Sequence, residues 1–338
     1  MGHDWLLVET LGGEPAVVAH GHQLENLVPI TDFLRRRPHL AAIQTAIGES
    51  VRTGQSLASI TPRNDRVIRT EPVVMSDDRV HGVHVWIGPA DVEPPERPIP
   101  GALKWDLTLG VATDTRESLA NSGKDPDAEA TQGRAFAEEL PTREFSPNEN
   151  KVLALAIRAE AGQSLCISWD VTDYLGDVIR VGFVVRTARE AGPNGREHLV
   201  ARGMNWRLPF DGAVQQPDFL AQQVLHGLAQ PGVYRAMIDL TDWRLLKWLD
   251  DPCPFFDWRG PGDTQRVHPD DVALIDRMTN DFTQPPVAGV LRLRQPDGSW
   301  RPVHVTVNRL ELEEDTYAGL LALRLPTEAE LADAGLDG

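Results

Sequence analysis

Close pairs of histidines, runs of carboxylates and two lone cysteines are the side chains of this sequence reactive enough to do chemistry. His20 and His22 flank Gly21, and His81 and His84 flank Gly82 and Val83. In a strand His20 and His22 share a face, yet two imidazoles without a third ligand do not make a zinc site. His81 and His84 fall on opposite faces unless a bulge intervenes. Both pairs read as structural or solvated histidines. His268 heads the stretch His268-Pro269-Asp270-Asp271 and reads as a helix-start residue, with a haem-ligating or pH-sensing role as the lesser alternative. The runs Glu138-Glu139, Asp250-Asp251 and Glu313-Glu314-Asp315 diverge from neighbour to neighbour. They do not supply the opposed carboxylates of glycosidic cleavage, and a solvated surface accounts for them. Cys166 and Cys253 have neither CxxC nor Cys/His spacing, which excludes a thiolate zinc site and supports no disulfide framework. The stretch "NSGKD" lacks the upstream glycine of a phosphate-binding loop, and GxGxxG, GxSxG and HExxH do not occur. The sequence therefore reads as that of a protein that is not an enzyme.

Charge narrows the partners. The chain has 338 residues and a formal charge of −17. A nucleic-acid surface must be cationic to displace counterions, and an anionic bilayer repels such a chain. The run Arg35-Arg36-Arg37 is one local exception and reads as a solvated helix end. No segment approaches eighteen uninterrupted apolar residues, and the N-terminus lacks a basic region followed by an apolar stretch. The expectation is a cytoplasmic protein with no nucleic-acid partner and no membrane insertion.

The elements that would position any site come in three blocks. In the first, strands at 5–10 and 15–20 precede helices at 23–36 and 39–52, and strands at 66–75 and 79–88 close it. Proline-rich "GPADVEPPERPIPG" then reads as a linker. The second opens on a strand at 103–113 and crosses a polar stretch, 121–131, expected to be mobile. A helix follows with a capping box, Ser146 and Glu149 exchanging hydrogen bonds around Pro147, and Gly162 ends it. Strands at 164–171, 178–188 and 197–206 complete the block. A helix over 218–229 connects to the third: strands at 233–240 and 244–249, short helical turns in "DDPCPFFDW", and a helix facing inward through Val272, Leu274, Ile275, Met278 and Phe282. In "RLRQPDGSWRPVHVTVNRL", Leu293 alternates with Arg292 and Arg294, and Val303, Val305 and Val307 alternate with polar residues. Pro296-Asp297-Gly298 sits between the runs, so this is a hairpin. With a last strand over 316–325 it belongs to a five-strand antiparallel sheet covered by the helices of 250–282. The fold class is α+β, three tandem modules each with a central antiparallel sheet and flanking helices.

The third block resembles a PAS domain, on His268-Pro269-Asp270-Asp271 before its long helix and Asp297-Gly298-Ser299-Trp300 at its hairpin turn. The first looks like a shorter, degenerate PAS domain, and the second is similar to a GAF or a PAS domain. Taken whole, the chain resembles the mycobacterial and related actinobacterial PAS–GAF–PAS proteins of unsettled function. The corresponding domains are 1–92, 100–210 and 216–326. The resemblance implies a sensory or adaptor role in which modules bind a small ligand or a partner protein. After the last strand only "PTEAELADAGLDG" remains, so the output is expected to reside in a protein partner. It also implies a pocket between helices and sheet in the third block, where Trp243, Trp248, Phe255, Phe256 and Trp258 crowd together. Its expected lining is Trp248, Phe256, Trp258, Met278 and Phe282, with a filled core as the alternative. Such a pocket suits a flavin ring, haem or lipid-like ligand, and no residue pattern selects among them. A ligand-free scaffold is the alternative function, and an enzyme with a dispersed site the second.

Overall fold

A computed structural model of the chain describes residues 4–61, 66–140, 148–192, 195–210, 212, 223, 227–259, 265–280, 286–313 and 315–336. The chain divides into two compact units, one of residues 1–105, 113–132 and 160–214, the other of 106–112, 133–159 and 215–338.

Three antiparallel sheets follow one another. The N-terminal sheet holds β1 (Leu6–Glu9), β2 (Ala16–His20), β3 (Gln23–Pro29), β4 (Leu57–Ile60), β5 (Val67–Val74) and β6 (Val80–Gly88) in the order β3-β2-β1-β6-β5-β4. The middle sheet holds β7 (Gly101–Asp106), β8 (Val111–Asp114), β9 (Arg134–Ala135), β10 (Ser164–Thr172), β11 (Val178–Ala191) and β12 (Glu197–Leu208), ordered β10-β11-β12-β7-β8-β9. The C-terminal sheet holds β13 (Tyr234–Asp239), β14 (Leu245–Trp248), β15 (Val287–Arg294), β16 (Trp300–Glu313) and β17 (Thr316–Arg324), ordered β14-β13-β17-β16-β15. In each, the first strand pairs with the last, the opening strands extend to one side, and the closing meander extends to the other. The three tandem modules expected from the sequence are thus present in connectivity.

Helices α1 (Ile30–Phe33) and α2 (Leu40–Thr53) cover one face of the N-terminal sheet, packing Ile30, Leu34, Ile43 and Ile47 on Leu6, Val8, Val17 and Val85. Leu7, Val18 and Met75 on its other face pack with Val184, Met204 and Trp206 of the middle sheet. Coverage on both faces explains why β1 and β2 read as unbroken apolar runs rather than alternating ones. The sequence expectation of a helix from 23 to 36 is corrected here: β3 occupies its first half, and only Ile30–Phe33 is helical. Gly21 at φ +58 turns the chain so that His20 pairs with Gln23, and this turn overrides the helical spacing of the apolar residues. His22 consequently lies in the turn and shares no strand face with His20.

The single strand expected at 103–113 is two, β7 and β8, separated by a turn with Gly110 at φ +66. Helix α3 (Arg116–Asn121) runs up to the first residue of the polar stretch 121–131, and the buried Asn121 carboxamide donates to the carbonyls of Ile99 (2.9 Å) and Asn205 (3.1 Å). Ser146 and Pro147 lie outside the described residues, as do 218–222 and 224–226 of the expected helix 218–229. Helix α4 (Glu149–Arg158) ends four residues before Gly162, which sits in the turn leading to β10. Over 250–258 the chain makes bends and a turn rather than helical turns, since Pro252 and Pro254 remove two donors. Helix α5 (Val272–Asn280) follows, and α6 (Glu328–Asp333) closes the chain behind a capping box of Thr327 and Glu330.

Candidate functional site

The hairpin turn between β13 and β14 is built from acidic side chains. Buried Asp239 accepts from the Thr241 amide (2.8 Å) and from the Arg244 guanidinium (3.0 Å), while Asp242 accepts from the Arg244 amide (3.0 Å). Trp243 closes the turn at φ +60, a left-handed conformation that costs a bulky residue on the order of 1–3 kcal/mol. Its indole N–H donates to Thr279 Oγ1 of α5 at 2.8 Å. The turn is thereby fastened to the helix across from it.

Beneath that fastening lies a cavity of about 310 Å³. Its floor takes one or two inward residues from every strand of the C-terminal sheet: Ile238, Leu245, Leu291, Leu293, Val305, Leu321 and Leu323. Its roof is Trp243, Phe256, Val267, Val272 and Ile275, and its polar rim includes Gln265, Arg244 and Arg266. Burial pulls the Arg266 guanidinium below its ordinary range, with Asp257 and Asp242 opposing. Of the expected lining residues, Phe256 borders the cavity. Trp248, Trp258 and Met278 sit in the surrounding core, the two indoles edge to face at 5.8 Å, and Phe282 lies outside the described residues. The hairpin's alternating Leu and Val pointed at the floor. Arg266 gave no sequence signal, because an isolated arginine in an irregular segment has no pattern to stand out from.

The two motifs behind the PAS resemblance touch. His268 packs its ring on Trp300 at 5.2 Å and accepts from the Asp270 amide. Asp271 receives both the Arg292 guanidinium, at 2.7 and 3.0 Å, and the Arg292 amide, at 2.7 Å. Desolvation pushes the Asp271 carboxyl up, but those hydrogen bonds outweigh it and hold it below the usual range. The motif thus ties the start of α5 to β15.

On the sheet face away from the cavity, Lys247 pairs in register with Met237 and is fully buried. It donates to Glu149 of α4, itself buried, and α4 packs on β16 and β17. Glu149, expected to close a capping box with Ser146, which lies outside the described residues, makes this ion pair. The signal for Lys247 was a lysine inside the apolar run Leu245-Leu246-Lys247-Trp248.

A second buried polar cluster lies in the other unit. A bulge in β6 leaves His81 without a partner on β5, and its Nδ1 donates to the Gly203 carbonyl at 2.7 Å. Arg202 reaches Asp77 (2.6 Å) and Glu190 (2.7 Å), and its NH1 lies 3.3 Å from His81 Nε2. Burial drives the His81 imidazole down to about 4, against the pull of its bond to Gly203. His84 is driven to about 3 by burial and by Arg97, which donates to its Nδ1. Burial likewise pushes the thiols of Cys166 and Cys253 up to about 12, away from nucleophilic reactivity. Among the described residues no three metal-ligating side chains cluster, and no helix is long and apolar enough to cross a membrane.

Three family models match the chain: the Rv3651-like N-terminal model over residues 4–96, the middle-domain model over 99–208 and the C-terminal-domain model over 218–334. A crystal structure of a putative uncharacterized protein from Mycobacterium tuberculosis is 64% identical, covers 99% of this chain and 100% of its own, and superposes with a TM-score of 0.90. A sensory box histidine kinase/response regulator from Burkholderia thailandensis is 13% identical with a TM-score of 0.23, over 38% of this chain and 84% of that one. An RNA-binding light-oxygen-voltage receptor is 11% identical with a TM-score of 0.24, over 99% and 98%. Neither of these two similarities is close enough to bear on fold or function. No curated protein matches. The chain belongs to the Rv3651-like family, a mycobacterial family of three tandem domains and unknown function.

Proposed function

We propose that this protein is a non-catalytic sensor or adaptor, whose C-terminal module holds a small apolar ligand and whose response passes to a protein partner. The observation that carries the reading is the cavity of about 310 Å³ between sheet and helix, a volume at the lower end for small-molecule pockets. Its floor and roof are hydrocarbon, and its polar lining is Thr108, Gln265, the two arginines and Asp242, whose carboxylate accepts from the Arg244 amide. A PAS-like assignment of the modules accords with their shared connectivity, in which two or three opening strands, helices and a meander bring the first strand beside the last. The contact between His268 and Trp300 supports it for the C-terminal module.

Among the expected ligands the lining discriminates. Haem needs an axial donor, and the described lining residues include no histidine, cysteine, methionine or tyrosine. A flavin ring or a lipid-like chain asks only for apolar contact and a few rim groups. The test is native mass spectrometry and an absorbance spectrum of the full chain, beside a Leu321→Trp variant that fills the cavity. The expected result is a flavin band or a lipid-sized mass adduct that the variant loses. A chain that retains no small molecule, and whose melting temperature ignores added flavins and fatty acids, would overturn the reading.

A further inference from the structure

The N-terminal module, which carries none of the recognisable motifs, has a cavity of its own, of about 210 Å³. It occupies the corresponding place in the module. Leu6 of β1 and His20 of β2 border it on one side, Val85 and Ile87 of the closing strand form part of its floor, and the helical segment covers it through Leu34 and Ile43. The chemistry at its edge is different. Arg37 and Arg66 line it together with His20 and His39, and His20 meets Phe33 edge to face at 5.6 Å. Asp4 is the one acid among the described lining residues. Arg37, like Arg35 and Arg36 in the same basic run, is exposed.

We propose that this cavity is a binding site for a small monoanionic carboxylic acid. Its apolar body would rest on Leu34, Ile43 and Val85, and its carboxylate would meet Arg37 and Arg66. A guanidinium presents a planar fork of donors that matches a carboxylate in two parallel hydrogen bonds and keeps its charge at any physiological pH. The volume lies below the roughly 300 Å³ at which drug-sized pockets begin, so the ligand is small, of one ring or a short chain. An anionic protein repels anions at a distance, so such a ligand is held by local fit rather than by long-range attraction. None of this depends on what the C-terminal cavity holds.

The test titrates the full chain with 4-fluorophenylacetate, followed by fluorine NMR, with neutral 4-fluorophenylacetamide as control. The acid is expected to bind at least tenfold more tightly than the amide. The double variant Arg37→Gln/Arg66→Gln, at positions outside the core, should weaken the acid at least tenfold and leave the amide unchanged. Leu321→Trp, in the other cavity, should leave acid binding as it was. Equal affinities for acid and amide, an unaffected double variant, loss of acid binding in Leu321→Trp, or no acid binding at millimolar concentration would each overturn the proposal.

Discussion

The N-terminal and C-terminal modules run their strands in the same connectivity, yet they are filled and backed by different chemistry. Each holds a cavity between sheet and helices with two arginines and an aspartate among its lining residues; the first adds two histidines, the last a larger set of apolar side chains. Each sheet also has a second covered face. In the N-terminal module it is apolar, with neutral His81 beside it; in the C-terminal module it carries a buried charged pair, Lys247 and Glu149. Connectivity therefore sets where a cavity can form. The side chains at a handful of lining and backing positions decide what it accepts and what conditions it tolerates.

The sharpest way to break this comparison is to remove one charge from the C-terminal backing. Glu149→Ala takes the carboxylate away from the buried Lys247 ammonium, and removing one partner of a buried ion pair costs about 3–5 kcal/mol. Urea denaturation should show that loss. The double variant Glu149→Leu/Lys247→Met, which removes both charges and keeps volume, should recover most of it. A Glu149→Ala protein as stable as the parent would show that the pair contributes nothing to holding α4 on the sheet.

Acid should act on the other module. Unfolded, His81 and His84 titrate near the usual 6.5; folded, burial holds them at about 4 and about 3. Between those values the unfolded chain binds protons that the folded chain does not. The stability tied to the neutral imidazoles is thus fully present above pH 6.5 and is lost as pH falls toward 4. For His81 the loss is on the order of 3 kcal/mol. Asp77 and Glu190, held low by Arg202 against desolvation, withdraw their contribution only as pH falls below their usual values, a separate and more acid window. Stability measured from pH 7 to pH 4 should fall in the parent and fall less in His81→Gln, whose amide can still donate to the Gly203 carbonyl. Equal slopes would mean that His81 does not titrate with unfolding.

Most of the architecture was legible because it rests on short-range rules. The alternation in Leu291 to Val307 and the turn at Gly298, with φ +84, specify the hairpin wherever it sits. What escaped depends on partners distant in sequence. Glu149 in a capping pattern gives no hint that Lys247, 98 residues away, will claim its carboxylate. The segment 23–29 has helical spacing, and only its pairing with β2 makes it a strand. For the candidate site the aromatic crowd located the right region, but an indole reads alike whether it packs a core, as Trp248 does, or roofs a cavity, as Trp243 does. Motif absence in the N-terminal module pointed to a degenerate copy, since motifs report the tie between helix and hairpin rather than the cavity beneath.

A smaller effect tests how the C-terminal cavity is closed. Thr279→Val removes the acceptor of the Trp243 indole while keeping shape, and losing one such hydrogen bond costs about 1 kcal/mol. Trp243 fluorescence should shift toward that of a more mobile indole, and any ligand of this cavity should leave faster. The N-terminal cavity, which has no equivalent role for Thr279, should keep its carboxylate affinity. If Thr279→Val changes both sites alike, the two cavities are not separate in the way their linings indicate.

The smallest expected change distinguishes open space from packed core. Overfilling a close-packed interior costs about 1–3 kcal/mol, because neighbours must leave their rotamers. Val17, with none of its surface exposed and packed between β1 and α2, is such a position, and Val17→Phe should lower the melting temperature accordingly. Leu321 borders about 310 Å³ of cavity, so the added ring of Leu321→Phe has somewhere to go. Its stability should stay within about 1 kcal/mol of the parent, since the new contacts offset the strain of insertion. Were Leu321→Phe to cost as much as Val17→Phe, the C-terminal module would be filled as tightly as the core between the N-terminal sheet and its helices, and the ligand reading would lose the space it requires.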